Sequence, residues 1–271
     1  MNIDTLIHAR WIIPVEPENT VYENYALAIK NDKIIALLGS DDARKKFTAT
    51  EELVLEHHAL IPGLINTHTH AAMSLFRGIA NDLPLMDWLN NHIWPAEKKW
   101  IGPEFDKDGT KLAIAEMLRS GTTCFNDMYF FPDSTAEICA SVGMRAMIGL
   151  IIIDLPTLWA NSNDEYLAKG EYVHDSFRHN PLISTAFAPH APYTVSDDSL
   201  KRIAVLAEEL DVPLLGQIPL LQELREGGDT GSPITVADPN SEAANVFAEM
   251  ARLLTEEYLP TRRYNEGLKL D

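Results

Sequence analysis

Two histidines one residue apart, His68 and His70, close the run Pro62-Gly63-Leu64-Ile65-Asn66-Thr67-His68-Thr69-His70. In an extended strand, residues i and i+2 point to the same side. Both imidazoles can therefore reach one metal ion. A His-x-His pair alone fits two exposed or internally satisfied histidines equally well. The flanking residues shift the balance, because Pro62 and Gly63 mark a sharp entry and Leu64-Ile65-Asn66 reads as a strand. The pair then falls at a strand-to-helix junction, the end of the strand where (β/α) barrels carry their active sites. Cys124 and Cys139 are too few for a disulfide framework and lack metal-ligand spacing.

The elements that must position these residues change character along the chain. Residues 1–60 hold short β-rich runs at Leu6-Ile7, Trp11-Ile12-Ile13, residues 25–29 and residues 33–38, with Asn31-Asp32 as a hairpin turn between the last two. They read as a small β-sandwich-like part. From residue 61 strands alternate with helices. Strands are expected at 64–66, 122–125, 145–151, 182–187 and 212–215. Helices are expected at 104–120, offering Leu112, Met117 and Leu118 to the core, and at 134–142 and 196–210, with Gly121 and Gly143 as stops. Such alternation with apolar strands implies a parallel sheet. About five strands fall short of the eight that close a barrel. The fold class is thus α/β: an incomplete (β/α)8, TIM-like barrel over 61–215, with a small N-terminal β domain and a tail over 216–271. In that tail, residues 227–233 read as a loop. Residues 240–258 read as a helix with the apolar stripe Ala243, Val246, Phe247, Met250, Leu253 and Leu254.

Composition limits what these elements can serve. Of 271 residues, 40 are acidic and 22 basic, a formal net charge of −18. That opposes gripping a phosphate backbone. Hydrophobic residues at 46% supply a core that a disordered acidic chain would lack. No apolar run approaches the length of about 20 residues that a spanning helix needs. The N-terminus shows no basic stretch followed by an apolar one. The expectation is a cytoplasmic protein with no nucleic-acid or membrane partner.

The segment 60–78, LIPGLINTHTHAAMSLFRG, resembles the first barrel strand of the amidohydrolase superfamily. Within it the chain is similar to the 5-methylthioadenosine/S-adenosylhomocysteine deaminases, from the N-terminus to about Pro213. Further motifs carry the likeness: residues 82–89, the Ile93-Trp94-Pro95-Ala96-Glu97 segment, residues 121–129, and Ala188-Pro189-His190-Ala191-Pro192-Tyr193. The resemblance implies metal-dependent hydrolytic deamination of an adenine nucleoside. His68 and His70 would bind a divalent metal, zinc first, with iron or manganese as alternatives. Glu97 matches the glutamate that receives the ribose hydroxyls, and a carboxylate can accept from both hydroxyls of a diol. His190 matches the histidine at the purine. Trp88 fits a wall of the substrate pocket and fits plain core packing as well.

The family pattern breaks beyond Val212. Positions where relatives place a third metal histidine and a proton-handling glutamate hold Gln217 and Leu220, and no histidine follows His190. No catalytic acid or base is therefore assigned. The C-terminal segment instead resembles the tail of Mrp-type P-loop ATPases, without that family's phosphate loop or cysteine pair. The alternative reading is a catalytically incompetent, truncated or chimeric chain that at most binds a purine nucleoside. Unpaired strand edges in such a chain favour a homo-oligomer.

Overall fold

The structure, a computed structural model, describes residues 1–209, 215–219 and 221–257. It divides into two compact units, one made of 1–62 with 213–271 and the other of 63–212.

The first unit opens with β1 (Asn2–Ile12), β2 (Tyr22–Lys30), β3 (Lys33–Gly39), α1 (Ser40–Lys46) and β4 (Thr48–Leu60). The strands form a single four-stranded sheet in the order β3-β2-β1-β4, not two facing sheets. β1 pairs antiparallel with β2 and parallel with β4. Asn31 and Asp32 turn the β2–β3 hairpin with φ of 48° and 59°, the left-handed values a two-residue hairpin needs. Ile3, Leu6, Ala26, Ala28, Ala43 and Phe47 form its core, which lies between the sheet and α1. β4 has no counterpart among the expected strands. Its residues are largely exposed, so they lack the apolar run that marks a strand in sequence.

The second unit is a parallel four-stranded sheet, β5 (Leu64–Thr69), β6 (Thr122–Asp127), β7 (Arg145–Ile152) and β8 (Ile183–Pro189), paired in chain order. Between β5 and β6 run a 3-10 turn (Ala71–Phe76), α2 (Leu85–Trp88), α3 (Trp94–Trp100) and α4 (Pro103–Arg119). Then α5 (Pro132–Val142) precedes β7, α6 (Asn163–Phe177) precedes β8 and α7 (Asp197–Glu209) follows it. β7, apolar almost throughout, is buried along nearly its whole length, as a central parallel strand must be. β5 is an edge strand among the described residues, with Leu64 and Ile65 52% and 67% exposed. The expected fifth strand lies at 212–215. Residues 212–214 fall outside the described residues, and Leu215 is not in a strand.

Helix α4 corrects one expectation. Its buried face is Asp106, Gly109, Thr110, Ala113, Ile114 and Met117, the i, i+3, i+4 pattern of one helical stripe. Leu112 and Leu118 point away and are 39% and 53% exposed. Small residues occupy the inner face because the helix meets the turn Ala71–Phe76 backbone to backbone at Gly109. α5 ends at Gly143 with φ of 79°, a left-handed cap that glycine adopts without strain.

The remainder of the first unit contains α8 (Gln222–Thr230), α9 (Ile234–Ala237) and α10 (Glu242–Arg252). Residues 227–230, expected as loop, are the last turn of α8, which Gly231 closes with φ of 72°. Glycines at 227 and 228 hid that helix from a reading by propensity. α10 begins where the Ser241 hydroxyl accepts from the Ala244 N–H. It runs into a π turn at Leu253–Glu257, so the regular helix is shorter than expected, and Tyr258 lies outside the described residues. Ala243 is buried, while Leu254 is 48% exposed. No helix among the described residues is long and apolar enough to cross a membrane.

Candidate functional site

The site is built at the C-terminal ends of the parallel strands in the second unit. His68 and His70 end β5 and its exit, with ring centroids 5.2 Å apart in an edge-to-face arrangement. His68 is exposed and His70 half-buried. His70 Nδ1 lies 2.5 Å from the Met128 carbonyl oxygen. A carbonyl can only accept, so Nδ1 is the donor, and in the neutral tautomer this leaves the Nε2 lone pair free. This is the orientation that a second partner gives a metal-binding histidine.

The residue before Met128 anchors the same corner. Asp127 is buried at the end of β6, and its carboxylate accepts the Ala71 N–H at 2.7 Å. Burial pushes its pKa up to about 7 against the pull of that hydrogen bond. Behind it, Asp106 of α4 is fully buried and accepts from the Thr135 hydroxyl at 2.8 Å. Burial raises its pKa to about 8, opposed by Thr135 and helped by the neighbouring Asp127 and Asp133 charges. Asp127 braces the turn that follows His70 and Asp106 ties α4 to α5; neither lines the cavity.

A cavity of about 630 Å³ opens beside His70, a size that suits a small-molecule ligand. Trp88, Glu97, Tyr129, His190 and Tyr193 line it, together with apolar side chains of Leu85, Leu89, Ile93, Leu155 and Leu158. The structure thus gathers His70, Trp88, Glu97 and His190 in one cavity. His68 lies next to His70 but is not among the lining residues. Trp88 is half-buried on α2, where its ring forms part of the wall.

Glu97 sits on α3 and accepts a hydrogen bond from the Tyr129 hydroxyl at 2.7 Å. Burial pushes its pKa up, and the Tyr129 hydrogen bond draws it back. Burial also raises the Tyr129 phenol, with the Glu97 charge beside it acting the same way. His190 follows β8, and its backbone N–H bonds the Ile152 carbonyl at 3.1 Å. Its Nδ1 meets Thr194 Oγ1 at 2.8 Å, while that hydroxyl donates to the Ala191 carbonyl at 3.1 Å. With the single Thr194 proton so used, His190 Nδ1 is the donor and Nε2 is left as an acceptor. Burial first, and the nearby His70 second, lower the His190 pKa, so the ring is neutral at neutral pH.

Tyr129 has no role in the reading by motif, although it closes the 121–129 segment quoted there. Its partnership with Glu97 bridges 32 residues of chain, and no local pattern encodes it. Gln217 and Leu220 stand where the resemblance places the third histidine and the glutamate. Gln217 is an exposed residue of the first unit, in the stretch 215–219, where Gly216 packs against Val246 and Met250. Leu220 lies outside the described residues. Among the described residues no group of three or more His, Cys, Asp or Glu side chains could hold a metal ion.

Residues 59–229 match the model of the amidohydrolase family. The chain belongs to the amidohydrolase family. That match runs past Pro213, the limit set by motifs, to residue 229. The chain is 51% identical over 227 residues to a 5-methylthioadenosine/S-adenosylhomocysteine deaminase of Saccharophagus degradans, covering 84% of this chain and 50% of that one. A protein of the same name from Teredinibacter turnerae is 49% identical, covering 77% and 47%. Among solved structures, an adenosine deaminase from Xanthomonas campestris with bound zinc is 46% identical with a TM-score of 0.77, covering 93% of this chain and 55% of that one. The chain spans about half the length of the curated relatives it matches. The four parallel strands are part of the barrel framework of an amidohydrolase, and the cavity lies at their C-terminal ends.

Proposed function

We propose that this amidohydrolase acts in the metal-dependent hydrolytic deamination of an adenine nucleoside, 5-methylthioadenosine or S-adenosylhomocysteine. The observation that carries the reading is the single cavity holding His70, Glu97 and His190, each tied by its own hydrogen bond. The relatives named as deaminases and the zinc-bound adenosine deaminase support it.

The donor set fits a divalent metal in part. His70, with Nδ1 held by Met128, offers Nε2, and His68 stands beside it. Two imidazoles are half of a tetrahedral set. His68 and His70 would hold the ion, with zinc proposed first and iron or manganese as alternatives. When bound, such a metal supplies a water acidified toward neutral pH. The chain's own groups do the rest of the positioning. Glu97 accepts from the ribose hydroxyls, His190 Nε2 accepts from a donor on the purine, and Trp88 closes a side of the pocket. The apolar walls exclude water from the ring.

A second reading, nucleoside binding without turnover, differs from the first in what it predicts for ammonia. Ammonia release from 5-methylthioadenosine and S-adenosylhomocysteine with added zinc, iron(II) or manganese separates the two. Release above a His68→Ala/His70→Ala double variant supports deamination. A folded chain that binds nucleoside and releases no ammonia supports the second reading.

A further inference from the structure

We propose that Tyr129 is a positioning residue, which fixes the Glu97 carboxylate for the ribose diol of the bound nucleoside. The inference rests on the nucleoside reading of the cavity and goes beyond it, because nothing in the sequence motifs gives this tyrosine a role.

The geometry is one-sided. Tyr129 is 5% exposed, with its ring 5.1 Å from Phe130 and 6.1 Å from His70 by centroid. A phenol packed on several sides has little freedom left in its two side-chain torsions. Glu97, by contrast, sits on a seven-residue helix in which no residue is fully buried. The Tyr129 hydroxyl on Oε1 is the one hydrogen bond to this carboxylate among the described residues. The more deeply buried partner therefore orients the less buried one. A carboxylate has about four acceptor sites. With one taken by Tyr129, the others remain for a pair of vicinal hydroxyls, and the carboxylate plane no longer swings. The same bond opposes the effect of burial and so favours the charged carboxylate, the stronger acceptor.

The alternative is that the bond merely staples α3 to the exit of β6. The two roles part when the ligand has no diol. Kd values of adenosine and 2′,3′-dideoxyadenosine are measured by calorimetry on the full chain and on Tyr129→Phe, which keeps the ring and removes one oxygen. Hydrogen bonds to a charged group set the scale, so adenosine should weaken about tenfold. Dideoxyadenosine should change less than about twofold, since the packing is kept. Tyr129→Leu, which also removes the hydroxyl and leaves Glu97 in place, should give the same diol-selective loss and serves if Tyr129→Phe fails to fold. Equal losses for both ligands, or none for either, overturn the positioning role while leaving the nucleoside site standing. A wild-type chain that binds neither ligand overturns both.

Discussion

Replacing Gly109 by alanine tests how the histidine-bearing corner is held. In most exposed helix interiors this change stabilises by about 1 kcal/mol, because glycine is a poor helix former. At Gly109 a Cβ would lie 2.4 Å from the Ala72 carbonyl oxygen and 2.7 Å from its Cα, against the 3.0 Å floor of real Cβ contacts. Helix α4 and the turn Ala71–Phe76 must therefore part by about 0.6 Å. The obstacle is main chain, which cannot rotate away as a side chain can. Overpacking of this kind costs about 1–3 kcal/mol, and a rigid neighbour places it toward the upper end. The helix gain offsets part of that, leaving a net loss of about 1–2 kcal/mol. For a unit of this size the transition should fall by about 2–8 °C. Calorimetric unfolding of Gly109→Ala beside Gly228→Ala gives the comparison. Gly228 is helical with open space around it, so alanine there should stabilise. The displaced turn follows His70 directly, so zinc affinity should fall in the first variant and hold in the second. A Gly109→Ala chain as stable as wild type, or more so, would refute the close packing on which the corner depends.

Two further outcomes follow from buried or tethered carboxyls. The Asp106 carboxyl is raised in the fold to about 8 from an ordinary value near 4, so its contribution is full below about pH 4 and is lost as pH rises to about 8. Denaturant unfolding across that window should show stability falling with pH, less steeply in Asp106→Asn, and an unchanged slope would exclude Asp106 as a source. Asp154 works the other way. Burial pushes its carboxyl up, but hydrogen bonds from Ser196, Ser199 and Asn163 outweigh this and hold it at about 2. Its contribution is present above about pH 4 and is lost as pH falls through about 2. Asp154 holds Ser196, whose hydroxyl caps α7 through the Ser199 N–H. Asp154→Ala should therefore cost about 1 kcal/mol at pH 7, the scale of a lost cap. Faster amide exchange in the first turn of α7 would register it, and unchanged exchange would argue against the tether.

The parallel strands were legible because burial on both faces forces apolar runs, as along β7, and because glycine stops such as Gly143 are local. The closeness of His68 and His70 was legible for a different reason: residues i and i+2 share a side of a strand, and the two rings lie 5.2 Å apart. Less was visible where tertiary contact decides. The inner face of α4 carries Asp106, Gly109 and Thr110, which a hydrophobicity pattern assigns to solvent, so Leu112 and Leu118 seemed the better core. β4 is a strand because β1 supplies its hydrogen bonds, not because of its own residues. Glu97 and His190 were found through resemblance to a family. The bond that orients Glu97 comes from a residue 32 positions away, and no spacing rule reaches that far.

The central claim is that His68 and His70 hold a metal beside a nucleoside cavity. Titrating zinc into the full chain at neutral pH, with and without the His68→Ala/His70→Ala change, tests it most directly. One equivalent of zinc bound by wild type and lost in the double variant is the predicted result. Zinc bound equally by both chains, or by neither, would contradict it.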